Sequence, residues 1–267
     1  MAKKWSEKQY PPNTAVTYDV VYGNSQVLDI YAAPQPGAIT LVHVHGGAWC
    51  TPGGVKSSEA LRAYPRPFAA NGFCVIDIEY RTVPVCSGNT DVNYRDYMIT
   101  DILAAMTWAR ANAATYNGST SRIALWGESA SSQLVLMATI NGAAGSTRPD
   151  AVLAYSSFTR LDQWGNSTAI KNYLGISDDP SGAGAATART YSPYEQWVTG
   201  IATKVRMCNY NPESLPGFRA ADMTDMATKI TSVGGTVVTS TINQESHAFF
   251  AGTSEFPASI SWLRGAI

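Results

Sequence analysis

Short, dense apolar runs alternate with longer amphipathic stretches along most of the chain. In AVTYDVVYG (15–23) and QVLDIYAAP (26–34) apolar and polar residues alternate with period two, as in strands covered on one face. The Gly23-Asn24-Ser25 step between them reads as a short turn. This predicts a hairpin that begins an antiparallel sheet edge. The pattern then changes. ITLVHVHGG (39–47) and FCVIDIEYR (73–81) are β-branched and apolar on both faces, and a helix-length stretch ending near Asn71-Gly72 separates them, which makes a β-α-β unit.

From Tyr94 to Asn117 the apolar positions Met98, Ile102, Leu103, Ala105, Met106 and Ala109 recur every three or four residues, predicting a helix with Gly118 placed as its C-terminal cap. RIALWGES (122–129) follows as a buried strand, SSQLVLMATI (131–140) as a helix and AVLAYSSF (151–158) as a strand. Residues 158–200 break the alternation. Trp164, Tyr173, Tyr191, Tyr194 and Trp197 are scattered there among Gly, Ser, Asp and Pro, which reads as an inserted lid or irregular cap. KVRMCNY (204–210) resumes as a strand, FRAADMTDMATKI (218–230) as a helix, and TVVTSTI (236–242) as a last strand before a loop carrying His247 and a short terminal helix. The expected fold class is α/β, a mainly parallel sheet covered by helices on both faces. With 267 residues, 45% of them hydrophobic, it should form a single domain.

Composition narrows the partners. Nineteen Lys and Arg against 20 Asp and Glu leave a formal net charge of -1, without the basic footprint that nucleic acid or an anionic membrane requires. No run is long and apolar enough to span a bilayer. Charged residues make up only 15%, so the surface must be built largely from Ser, Thr, Asn, Gly and Tyr, which favours a secreted or periplasmic chain over a cytoplasmic one. The opening MAKKWSEKQYPPN has no apolar h-region and is not read as a signal peptide. Of four cysteines, Cys74 and Cys208 lie in strand runs and should be buried free thiols. Cys50 and Cys86 lie in loops leaving the same end of the sheet, where a disulfide and two free thiols are the alternatives.

Chemistry enters at GESAS (127–131). Ser129 sits between a buried strand and a helix, where a sharp corner would lift its hydroxyl clear of the sheet, although Ser131 stands where G-x-S-x-G has its last glycine. Taken alone, Ser129 reads equally as a nucleophile or a turn serine. A serine nucleophile needs a base. His247 lies in a loop at the carboxyl ends of the strands, whereas His43 lies within a strand and reads as a packed core residue. The acid that orients the base should follow a strand between the two. Glu213 in NPESLPG is preferred there over Asp222 and Asp225, which fall on the expected polar face of a helix carrying Phe218, Met226 and Ile230 on the other. Gly46 and Gly47 in HVHGGAWC would let the backbone turn N–H groups toward a substrate carbonyl.

The order of HGGAW, IDIEYRTVP, the segment ending in RIALWGESA, and SHAFF resembles the α/β-hydrolase superfamily, and within it the hormone-sensitive-lipase-like carboxylesterases and related small esterases and formamidases. The resemblance implies Ser129 as nucleophile, His247 as base, and the N–H groups of Gly47, Ala48 and Ala130 as an oxyanion hole. Three departures stand out: HGGAW in place of HGGG, Ser131 in the elbow, and Asn211-Pro212-Glu213 where the family carries Asp-Pro. The expected activity is a serine carboxylesterase working through an acyl-enzyme, with neither metal nor cofactor. Trp49 and the aromatic insertion, Trp164 included, suggest a pocket for small or aromatic acyl groups, such as acetyl or feruloyl esters of plant polysaccharide. A formamidase of the kynurenine type and a catalytically silent binding protein are the rivals. The oligomeric state stays open.

Overall fold

The computed structural model describes residues 15–51, 54, 56, 64–215, 219–247 and 253–267. All eight strand runs read from the pattern form strands: β1 (Val16–Gly23), β2 (Gln26–Tyr31), β3 (Ala38–Val44), β4 (Cys74–Ile78), β5 (Gly118–Glu128), β6 (Ala151–Tyr155), β7 (Lys204–Tyr210) and β8 (Val237–Ile242). They make one sheet in the order β1-β2-β4-β3-β5-β6-β7-β8. β1 pairs antiparallel with β2 and β2 with β4, while every later pair is parallel. The β1–β2 turn turns at Asn24 and Ser25, both at positive φ (48° and 60°), which matches the right-handed twist of the flanking strands.

The α-helices among the described residues are α1 (Pro65–Ala70), α2 (Tyr94–Asn112), α3 (Ala130–Asn141), α4 (Thr168–Leu174), α5 (Ala185–Thr190), α6 (Pro193–Gln196), α7 (Ala221–Ser232) and α8 (Glu255–Ala266). Period-two alternation in the strands sorts their side chains between two cores. Ile123 and Leu125 of β5 join Met98, Leu134 and Met226 from α2, α3 and α7 on one face. Ala124 and Trp126 join Phe68 and Leu263 from α1 and α8 on the other. A strand buried on both sides needs apolar residues at successive positions, which explains the dense runs.

One boundary differs from the pattern. α2 ends at Asn112, a 3-10 turn covers Ala113–Tyr116, and Asn117 rather than Gly118 takes the left-handed conformation, at φ 62°. Gly118 opens β5 instead, where a Cβ would stand 2.5 Å from Thr40 Oγ1. Between β6 and β7, where a cap was expected at 158–200, lie three short helices, α4, α5 and α6, and a 3-10 turn. Tyr173 and Trp197 from this segment are fully buried in the larger core. The Cys50–Cys86 alternative resolves to a disulfide with Cα atoms 5.2 Å apart, tying the loop after β3 to the loop after β4. Cys74 and Cys208 are free and buried, as expected. No helix among the described residues is long and apolar enough to cross a membrane.

Candidate active site

The loops leaving β3, β5, β7 and β8 at their carboxyl ends carry the predicted residues together. Ser129 is the corner between β5 and α3, with φ 56° and ψ −126°. A non-glycine residue in that conformation costs about 1–3 kcal/mol and persists only where its surroundings over-determine it. They do so here. The Ser129 N–H donates to the Tyr155 carbonyl of the neighbouring strand at 3.0 Å. The Ser131 hydroxyl accepts from the Glu128 N–H at 2.9 Å and donates to the Glu128 carbonyl at 2.8 Å. Ser131 is fully buried, so the residue that departs from G-x-S-x-G laces the elbow from within. Gly127 admits no side chain, because a Cβ would stand 2.5 Å from the Ser131 carbonyl oxygen.

His247 presents Nε2 to Ser129 Oγ at 2.8 Å and Nδ1 to Glu213 Oε2 at 2.8 Å. Glu213 Oε1 accepts from the Tyr210 N–H at 2.9 Å and from Ser156 Oγ at 2.7 Å. The backbone aligns these loops: Glu213 and Ser246 form an isolated parallel bridge, and the Ser214 N–H donates to the Ser246 carbonyl at 2.9 Å. Two loops that would otherwise vary independently are thereby registered, with the histidine one residue past the bridge. The side chain of Glu213 is nearly buried, whereas that of His247 remains partly open to solvent.

The rival acids lie elsewhere. Asp225 pairs with Arg160 at 3.2 Å. Asp222 does not occupy a polar helix face: its side chain is fully buried, accepting from Trp164 Nε1 at 3.1 Å and facing Arg219 at 3.3 Å. Burial pushes its carboxyl up to about 6, against the opposing pull of Trp164 and Arg219. The rotational phase of α7, set by packing, overrides the pattern that assigned this residue outward. Phe218 and the residues of SHAFF beyond His247 lie outside the described residues.

After β3 the chain passes through Gly47 at φ 122°, Ala48 at φ 52° and Trp49 at φ 60°. This succession of left-handed residues coils the loop back on itself, and the Cys50 N–H closes onto the Gly47 carbonyl at 3.1 Å. Among the described residues none accepts a hydrogen bond from the N–H of Gly47, Ala48 or Ala130. Ala130 is the first residue of α3, where helix amides lack intrahelical acceptors. A cavity of about 380 Å³ opens beside Ser129, lined by Ala48, Trp49, Ala130, Phe158, Trp164, Ile170 and Leu215 among others. Trp49 is held by an Nε1 hydrogen bond to Gln133 at 3.0 Å and stacks on Tyr173 at 5.0 Å. Trp164 stacks on Phe158 at 4.3 Å.

Reading the sequence missed Ser156, the second donor to Glu213, which carries no local signal beyond its place at a strand end. It also missed the partners of His43. That histidine is buried, as expected, but it stands between Asp77 and Glu128.

A strand-to-helix corner bearing a serine, with a histidine and an acid on the loops after later strands of a mostly parallel sheet, defines the α/β-hydrolase class. The chain belongs to the family described as BD-FAE, whose model matches residues 28–181, more than half its length. It is 32% identical over 151 residues to Esterase LipC of Mycobacterium tuberculosis, covering 54% of this chain and 34% of that protein. In fold it is similar to a truncated carbohydrate esterase from gut microbiota, with a TM-score of 0.78 at 17% identity over 98% of both chains. It is also similar to an acetyl ester-xyloside bifunctional hydrolase from Caldicellulosiruptor lactoaceticus, with a TM-score of 0.72 at 14% identity over 90% of this chain and 88% of that one.

Proposed function

We propose that the protein is a serine carboxylesterase acting on small or aromatic acyl esters, including acyl groups carried on carbohydrate. The observation that carries this reading is the unbroken relay from Ser129 Oγ through His247 to Glu213, each step 2.8 Å. Glu213 accepts the Nδ1 proton of His247, which leaves Nε2 free to take the proton of Ser129 Oγ. The oxygen then attacks the ester carbonyl. The N–H groups of Gly47, Ala48 and Ala130, which no described residue accepts from, receive the oxyanion, with the positive end of α3 adding to the field. His247 returns its proton to the leaving alcohol, and water repeats the cycle on the acyl-enzyme. The family membership and the esterase relatives support the reaction class. The aromatic walls and modest volume of the cavity support the choice of acyl group.

Labelling with a fluorophosphonate and hydrolysis of an acyl panel test the proposal. The expected result is stoichiometric label on Ser129, turnover of acetyl and aromatic acyl esters above long-chain esters, and loss of turnover by at least about 10³-fold in Ser129→Ala. Folded protein that takes no label would overturn it in favour of a binding role. Formamides turned over faster than the matching esters would move it to a formamidase.

A further inference from the structure

His43, Asp77 and Glu128 form a buried charged cluster beneath the elbow. The sheet register builds it: His43 of β3 lies opposite Asp77 of β4 and opposite Trp126 of β5, and Glu128, two residues beyond Trp126, points to the same face. His43 Nδ1 meets Asp77 Oδ1 at 2.7 Å, and His43 Nε2 meets Glu128 Oε2 at 3.2 Å. Each ring nitrogen therefore faces a carboxyl oxygen from a neighbouring strand. Burial alone would push this imidazole down, but the charges of Glu128 and Asp77 reverse that and raise it to about 10. Trp126 and Tyr64 close over the ring, at 4.3 and 5.9 Å between centroids.

The Glu128 side chain links the cluster to the loop after β3. Glu128 Oε1 accepts the N–H of Gly46 at 3.2 Å. Gly46 opens the loop that supplies Gly47 and Ala48, and Glu128 immediately precedes Ser129 and Ala130. The main chains also meet there, since a Cβ on Gly46 would stand 2.9 Å from the Glu128 carbonyl oxygen. We infer that Glu128, held in place by His43, is a positioning residue that sets the spacing between the oxyanion loop and the nucleophile elbow. It reaches no substrate; it acts through Gly46. This inference rests on the esterase reading for its effect on rate, but not for its effect on the loop.

Three variants, Glu128→Ala, Glu128→Gln and His43→Gln, test it. The measurements are steady-state kinetics on p-nitrophenyl acetate, the inhibition constant of butylboronic acid, and amide exchange over residues 44–50. An inhibition constant and KM do not depend on how much of the preparation is folded, so together they separate positioning from mere instability. In Glu128→Ala the boronate, which engages the oxyanion donors as a tetrahedral adduct, should bind about 10- to 100-fold more weakly, and kcat should fall by a similar factor. KM should stay within about twofold, with exchange over residues 44–50 accelerated, because only transition-state interactions are lost. Glu128→Gln keeps an oxygen for Gly46 with its amide group toward His43, and should recover boronate affinity to within about fivefold of the parent. Unchanged boronate affinity and exchange in Glu128→Ala would overturn the inference, as would a Gln variant no better than Ala. If the Ala variant does not fold, His43→Gln carries the same test, and parental boronate affinity there overturns the inference. A parent protein inert to the boronate and to every ester would instead overturn the esterase reading. Exchange over residues 44–50 would then still decide whether Glu128 holds the loop.

Discussion

Replacing Glu213 by glutamine exchanges one carboxylate oxygen for an NH₂ group, and its surroundings dictate which way the amide must face. The Tyr210 N–H, 2.9 Å from Oε1, can only donate. The amide oxygen must therefore take that position, and the NH₂ group must face His247 Nδ1, which Oε2 approaches to 2.8 Å in the parent. Nδ1 then becomes an acceptor, and the ring proton moves to Nε2, pointing at Ser129 Oγ. The serine loses its base and the imidazolium loses its counter-charge. A wrong-tautomer substitution of this kind costs about 10⁴-fold in kcat, or about 5.4 kcal/mol of transition-state stabilisation. Turnover of p-nitrophenyl acetate at pH 7, corrected for folded protein, is the assay. The substitution is isosteric, so the melting temperature should move by no more than about 4 °C, the shift that a change of about 1 kcal/mol produces in a chain of this size. Ser156→Ala is the internal control: it removes one donor to Oε1 but leaves the carboxylate, so the tautomer survives and the loss should stay below about tenfold. Glu213→Gln retaining more than about a tenth of parental turnover would refute the reasoning and return the acid's role to another residue.

Two further outcomes follow from groups outside the relay. The Asp222 carboxyl, raised by burial to about 6, holds its proton in the folded state over a range where the unfolded chain has lost it. Its contribution to stability therefore falls as pH rises from about 4 to about 6, by on the order of 3 kcal/mol, and is level above that. Asp222→Asn should gain melting temperature relative to the parent across that window, and a difference that does not change with pH would contradict the assignment. The Cys50–Cys86 bridge closes a separation of 36 residues, worth up to about 4 kcal/mol by loop entropy. A Cys50→Ser, Cys86→Ser double variant should melt several degrees lower, and reductant should lower the parent to match; identical melting curves would show that the bridge contributes nothing.

Much of this protein is legible in its residues. Eight strand runs, the Gly23-Asn24-Ser25 turn and the amphipathic stretch of α2 depend on local periodicity, because burial on one face or both imposes a repeat that survives in the chain. Ser129, His247 and Glu213 could be nominated because the reaction they would share needs particular residue types at strand ends in a given order. The order of strands in the sheet carries no local signal. Only when β3 settles between β4 and β5 do His43, Asp77 and Glu128 meet, although 34 and 85 residues separate the histidine from its two partners. The same holds for Ser156 beneath Glu213 and for the inward turn of Asp222, each decided by how one element rotates or registers against another. Periodicity shows which residues must be buried; packing alone decides what each of them faces.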